Sequence, residues 1–412
     1  MRVFIELLVP TFLVHLTRAL LITTLPLFVL STLEESKTYV GIAVGAIGLG
    51  KVLSDIPAGI LLGRIGARNL MLVCGCIVSM SAVLMMIASQ NRSFETVVFA
   101  MVLCGAGESV GVISRLATVS DEVPLDQRGK VSAYLGGSAR IAMAVGPLLS
   151  GLATSIYGNP TSVFALQAVL AALSVIVVFS TKTTSLVPVS LGSKPATNVS
   201  LSPIQIMKSL FHITVFILAL QLVRECRKLL IPLASFGASL SVREVSVFTS
   251  ISFTIDALFF PYAGKVMDGY GRIFTGILSV SIMSIGLLVV VPSASFFPLL
   301  LFAVITGIGN GLSSGIIVAF GADMAPKDDS KSTFLGYFRL FADVGELLGP
   351  LIVGIVVQFT SIPVMLNTIV SCGIVGCVWL LMFVADMEWM KTFSPPPKEM
   401  VNVHDEDDSP FS

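Results

Sequence analysis

The sequence predicts an all-α membrane protein built from twelve transmembrane helices in two pseudo-symmetric six-helix bundles. Three observations predict it. The 412 residues are 55% hydrophobic and only 12% charged, with a mean hydropathy of +0.94, too apolar for an ordinary soluble globule. Apolar runs of about 20 residues, the length a helix needs to cross a hydrocarbon core, recur from the N-terminus to Ala385. Open sheets and lipid-facing loops are excluded at that depth, because no water satisfies their backbone polar groups. Finally, motifs of the first half return in the second at a nearly constant offset.

Reading apolar runs against polar breaks places spans at 5–31, 38–63, 69–89, 96–118, 131–156 and 161–181. A second set follows at 207–235, 244–267, 273–293, 296–322, 332–358 and 363–385. The domain organisation is therefore an N-terminal bundle over 1–181, a linker over 182–206, a C-terminal bundle over 207–385 and an acidic tail over 386–412. The linker is rich in Ser, Thr and Pro and lacks a hydrophobic period. The tail, "HDEDDSPFS", has the composition of a disordered segment.

Basic residues in short loops set orientation. With both termini inside, fourteen basic residues face the cytosol, among them Arg64, Arg68, Lys130 and Arg272. Only Lys37, Arg92 and Arg243 face outward. Both termini are thus expected in the cytosol, with the Asn91-Arg92-Ser93 sequon outside and Asn198 inside. A cleavable signal peptide is not expected, since the first apolar segment is long and further spans follow it. The composition does not distinguish a plasma membrane from an organellar one.

Several function classes are disfavoured. A formal net charge of zero argues against nucleic acid as a partner. The six cysteines all lie in apolar segments without a CxxC, which reads as core packing rather than a disulfide framework. His404 lies in the tail, leaving His15 and His212, too few for a histidine metal cluster. No metal, cofactor or enzymatic activity is expected, for no nucleotide-binding loop or nucleophile elbow occurs.

The repeat is explicit. "GPLLSG" from Gly146 returns as "GPLIVG" from Gly349, "DEVP" from Asp121 as "DMAP" from Asp323, and "GILLGRIGAR" from Gly59 as "GKVMDGYGR" from Gly264. Arg18 with Pro26 recurs as Arg224 with Pro232. The offsets, by subtraction, are 203, 202, 205 and 206 residues. Such parallel duplication is the transporter pattern that puts substrate near the midplane between the halves. With Gly264, Asp268, Gly271 and Arg272, the chain resembles the major facilitator superfamily and its GxxxDxxGR loop signature. The first-half copy, Gly59, Gly63, Arg64, Gly66 and Arg68, has Gly63 where the family has Asp. The resemblance implies a gating loop whose acid latches a facing helix end, and Asp55, two turns earlier, is the candidate substitute. A further likeness is to the fifth-span GxxxGPxxGG motif of drug and proton antiporters, at Ala142, Gly146, Pro147 and Gly151 and again at Gly345, Gly349, Pro350 and Gly354. The fourth-span arginine of those exporters falls on Met101. Sugar-porter and peptide-transporter signatures are absent.

Thirteen ionisable residues lie away from the span ends: Arg18, Lys51, Asp55, Glu108, Arg140, Arg224, Glu225, Arg227, Lys228, Asp256, Arg339, Asp343 and Glu346. A central unpaired charge costs roughly 2.5 to 3.5 kcal/mol, so these groups must line an aqueous cavity or pair with one another. Arg339, Asp343 and Glu346, at i, i+4 and i+7, form one stripe; Arg224, Arg227 and Lys228 form another, with Glu225 turned aside. The resemblance implies that Arg18, Glu108, Arg224, Arg227, Lys228 and Asn310, the neutral counterpart of Glu108, line the substrate cavity. Arg140 occupies the repeat position of Asp343, and Lys51 that of Asp256, with opposite signs. A pair across the interface is therefore expected, Arg140 with Asp343 or Lys51 with Asp256, and pairs formed in one state only would drive the rocking motion. The structural alternative is permanent pairing that fixes helix register. Glu346, a turn from Asp343, is the candidate proton carrier.

These readings converge on a secondary transporter that works by alternating access and moves a small organic solute by proton-coupled antiport or efflux. Four cations on the first and seventh spans favour an anionic or zwitterionic solute. A facilitative uniporter and a non-transporting, transporter-like sensor or scaffold remain the alternatives. The expected partners are the solute, protons and the lipid bilayer, with the protein a monomer.

Overall fold

The computed structural model describes residues 2–123, 125–180, 203–237, 240–290, 295–324 and 331–384. The described residues are helical almost throughout, as α1 (Arg2–Ser31), α2 (Lys37–Asn91), α3 (Phe94–Glu122), α4 (Leu125–Tyr157), α5 (Thr161–Ser180), α6 (Pro203–Gly237), α7 (Val242–Tyr270), α8 (Arg272–Val289), α9 (Phe296–Leu312), α10 (Ile316–Met324), α11 (Lys331–Phe359) and α12 (Ile362–Val384). Among the described residues ten stretches are long and apolar enough to cross a membrane by length and composition, one of them running through α9 and α10.

Three local departures from the expected segmentation have physical causes. The segments 38–63 and 69–89 form the two limbs of α2, whose 55 residues would run roughly 80 Å if straight. The chain reverses at Gly66, where φ 78° and ψ 167° leave the helical region for one open to glycine. In contrast, the segment 296–322 is not one helix: α9 stops at Leu312 and α10 starts at Ile316, with Gly315 at φ +81° between them. The linker is shorter than expected, because α6 begins at Pro203; residues 182–202 and the tail 386–412 lie outside the described residues.

Packing joins the two halves of the chain through α2 against α11 and α4 against α7. One apolar core runs continuously from Leu25 and Phe28 of α1 and Val40, Ala43 and Ile47 of α2 into the second half at Phe216, Leu220, Phe248 and Phe302. Farther along the first half, the core breaks into separate patches around Val14, Leu70 and Val110 and around Leu7, Met71 and Val119. The halves therefore share a dry core toward the end where α1 gives way to α2.

Glycine makes that closure possible. A Cβ at Gly41 would stand 2.5 Å from the Pro350 carbonyl oxygen and 3.1 Å from the Gly354 Cα, so α2 and α11 touch backbone to backbone. A Cβ at Gly151 of α4 would stand 2.5 Å from Ser246 Oγ of α7. The Gly-Pro motifs act the same way inside each half, Gly146 packing on Ala19 and Gly349 on Glu225. Ala19 and Glu225 are themselves 206 residues apart, so this packing repeats with the sequence.

Candidate functional site

Four ionisable side chains meet where α1, α2, α3 and α11 converge. Arg18 donates through Nη1 to Glu108 Oε2 and through Nη2 to Glu346 Oε1. Lys51 Nζ lies 2.9 Å from Glu108 Oε2 and 2.8 Å from Glu346 Oε2. Each cation contacts both acids, and the lattice sums to zero charge. Glu108 is buried and the others nearly so. Such a group is tolerable in a low-dielectric interior because every charge is matched; removal of one member leaves an uncompensated ion.

The second cluster forms where α4, α6, α7 and α9 meet. Asp256 faces Arg140 Nε at 3.5 Å and Arg227 Nη1 at 3.6 Å, and Asn310 Nδ2 donates to its Oδ2 at 2.6 Å. Arg227 is sealed in, donating to Ser252 Oγ at 3.2 Å and to the Ser252 carbonyl at 3.0 Å, with Phe253 beneath it. Arg140 lies over the Phe260 ring, 4.1 Å from its centroid, and donates to Ser314 Oγ. Arg224 donates to Ser313 Oγ at 2.8 Å, to the Ser313 carbonyl at 3.0 Å and to Gln221 at 3.1 Å.

The two clusters have the same plan. In each, three positions from one half receive one residue from the other: Arg18, Lys51 and Glu108 receive Glu346, while Arg224, Asp256 and Asn310 receive Arg140. Charge-bearing pairs therefore do cross between the halves. The partners differ from those expected: Arg140 meets Asp256 rather than Asp343, and Lys51 meets Glu346 rather than Asp256. The pseudo-twofold argument had set each position against its own repeat mate. Helix packing instead sets α4 against α7 and α2 against α11, so Arg140 meets the repeat mate of Lys51, and Lys51 meets a residue one turn from the repeat mate of Arg140.

Asp343 faces Arg339 Nε at 3.5 Å on its own helix. Arg339 also approaches Asp55 at 3.9 Å, and Asp55 accepts from Ser109. Asp55, within the first limb of α2, thus reaches a facing helix of the second half rather than the loop. Lys228 is paired with Glu225 at 2.5 Å, and Glu225, far from being turned aside, is buried against Gly349.

The loop motifs lie apart from both clusters. Arg272 bonds Asp323 at 2.9 Å, Asp268 at 3.5 Å and the Met267 carbonyl at 3.2 Å, tying the start of α8 to the end of α10. Asp268 itself is 77% exposed. In the first-half copy Arg68 donates to the Phe179 carbonyl at 3.0 Å and Arg64 is exposed. Positions 59, 63 and 264 lie on helical stretches, and Gly271 takes φ +88°. Arg128 donates to the Val123 carbonyl at 2.9 Å, whereas the side chain of Asp121 lies outside the described residues.

Sequence reasoning missed several members. Arg115, seven residues beyond Glu108 on α3, is buried with Nη1 lacking a hydrogen-bond partner. Its i, i+7 spacing from Glu108 was the available signal. Ser252, Ser313 and Ser314 were also missed. The "LSSG" at 312–315 interrupts an apolar run, which is the mark the break leaves in the sequence.

Comparison with known proteins agrees with this architecture. The chain matches the family model described as the Major Facilitator Superfamily over residues 7–236 and 226–408. It is 31% identical over 150 residues to the MFS-type transporter gkaD of Penicillium citrinum, a stretch covering 36% of this chain and 24% of that relative. The match thus spans about a quarter of the curated relative's length. Among solved structures it is similar to the nucleoside transporter NupG, with TM-score 0.72, 15% identity, and 93% of this chain and 99% of that one covered. The D-xylose-proton symporter aligns with TM-score 0.75, 12% identity and coverage of 93% and 97%. A POT family transporter in complex with a thioalcohol-conjugated peptide aligns with TM-score 0.74, 13% identity and coverage of 93% and 96%. At these identities the structural likenesses speak for the fold.

Proposed function

The chain belongs to the Major Facilitator Superfamily and is an integral multi-pass membrane protein, and we propose that it moves a small organic solute by alternating access. In this reading the two limbs of α2 count as two spans and α9 with α10 as one, giving twelve in two six-helix halves with both termini cytosolic. Coupling to protons in antiport, directed outward, is the favoured mode.

The observation that carries the reading is the placement of ionic contacts at both junctions between the halves, Glu346 with Arg18 and Lys51 at one and Arg140 with Asp256 at the other. A ligand or proton shifts a two-state equilibrium only by its differential affinity for the two states. Ion pairs at the moving interface provide that differential, because they exist in one arrangement and are exchanged for solute or proton contacts in the other. The dry glycine contacts near Gly41 and Gly151 support a state closed at that end. Across the membrane segments seven cations meet six acids and Arg115 adds an eighth cation, an excess that supports an anionic or zwitterionic solute.

Solute flux measured in proteoliposomes, with and without an imposed pH gradient, tests the reading. Antiport predicts flux that rises with the gradient. Flux indifferent to the gradient identifies a uniporter, and saturable binding without flux identifies a sensor.

A further inference from the structure

The two symmetry-related clusters are not electrically equivalent. Around Glu108 two cations meet two acids, but around Asp256 two guanidinium groups, Arg140 and Arg227, share one carboxylate, and a third, Arg224, is bonded only to Gln221 and Ser313. Arg227 occupies the repeat position of Leu21, so its guanidinium group has no counterpart in the cluster around Glu108. The second half also carries the helix break, which has no counterpart in the continuous α3.

The excess charge and the break coincide. Arg140 and Arg224 dock on consecutive serines, Ser314 and Ser313, in the turn between α9 and α10. The dipole of α9 offers about half a negative charge there, and the start of α10 about half a positive one. The two ends lie together and cancel, so the break does not neutralise the arginines. Arg224 has no carboxylate partner among the described residues, and its buried Nε has no hydrogen-bond partner. A Cβ placed on Gly315 would meet nothing within 4 Å, so the break borders open space.

We propose that Arg140 and Arg224, held on Ser314 and Ser313 at the α9–α10 break, form an oxyanion site that binds the carboxylate or phosphate group of the transported solute. This rests on the transport reading above and narrows its solute to an organic anion. The planar guanidinium fork suits both groups. Arg227, sealed behind Asp256, adds charge to the site without touching the solute. The neutral lattice around Glu346 is left to hold the halves together.

The experiment is thermal unfolding of the purified full-length protein in phosphate-free detergent, titrated with succinate, acetate or inorganic phosphate against chloride at matched ionic strength. A saturable rise in melting temperature with at least one oxyanion is expected, weakened about tenfold by Arg140→Gln or Arg224→Gln, the loss of one charge-assisted pair, and unchanged by Arg243→Gln at the surface. Carboxylates acting alone identify a carboxylate solute, and phosphate acting alone a phosphorylated one. If either arginine variant fails to fold, Ser314→Ala, which unseats Arg140 without removing its charge, should still weaken binding several-fold. Stabilisation that is equal in all variants, or given only by added anionic phospholipid, overturns the site. Exchange of a neutral solute in proteoliposomes with no oxyanion effect overturns it while leaving transport intact; oxyanion binding without exchange upholds the site and removes the transport reading.

Discussion

Glu346 on α11 contacts both Arg18 of α1 and Lys51 of α2, so one carboxylate from the second half of the chain ties down two cations of the first. Glu346→Gln leaves those cations to share Glu108 alone. A broken buried pair of this kind costs about 3–5 kcal/mol, so a large fall in melting temperature is expected together with loss of flux. The double variant Lys51→Met with Glu346→Gln removes one charge of each sign and should recover much of that stability. Failure of the double variant to recover would mean that charge balance is not what the lattice provides.

The contact of Arg140 with Asp256, rather than with Asp343, is open to a double-mutant cycle. Arg140→Gln with Asp256→Asn should show a coupling energy of about 0.5–3 kcal/mol, whereas Arg140→Gln with Asp343→Asn should be additive within about 0.5 kcal/mol. Chemical unfolding of the purified variants measures both. Coupling in the second pair and not the first would restore the pairing that repeat symmetry alone suggests.

What the sequence made legible follows a physical line. The duplication, the apolar runs and the stripe of Arg339, Asp343 and Glu346 are properties of one helix or of two aligned copies, and periodicity exposes them. Which residue meets Arg140 depends on how far α4 and α7 rotate and slide as they pack, and no period within either helix encodes that. The charged residues flanking Gly66 suggest a loop of several residues there, yet one glycine suffices for the reversal. Arg115 escaped because it lies close to an expected span end, where an arginine is ordinarily explained by the interface. The break at Ser313–Gly315 escaped because three small residues do not lower the hydropathy of the run enough to divide it.

The glycine contact between α2 and α11 predicts the effect of bulk. Gly41→Leu places a branched side chain where even a Cβ meets the Pro350 carbonyl at 2.5 Å. Overpacking of this kind costs typically about 1–3 kcal/mol, and relief comes from parting the helices. The backbone amide of Lys37 donates to Gln358 at 3.0 Å across the same junction. Spin labels at Glu35 and Ser361 should therefore report a longer distance in Gly41→Leu than in the parent protein. An unchanged distance with full flux would show that this contact does not close the gate.

Asp343 and Glu346 differ in what a proton would displace. Glu346 is bonded to Arg18 and Lys51 together, so protonation there gives up two close ion pairs. Asp343 has one cation, Arg339, at 3.5 Å; that arginine is a third exposed and leans also toward Asp55 at 3.9 Å. A proton reaching the stripe therefore displaces least at Asp343, so the proposed coupling is expected to depend on Asp343 rather than on Glu346. Asp343→Asn is expected to retain solute binding and exchange while losing the dependence on a pH gradient, and Glu346→Gln to lose exchange altogether. Paired flux measurements at equal pH and under a gradient separate the two, and gradient dependence that survives Asp343→Asn would return the proton to another acid.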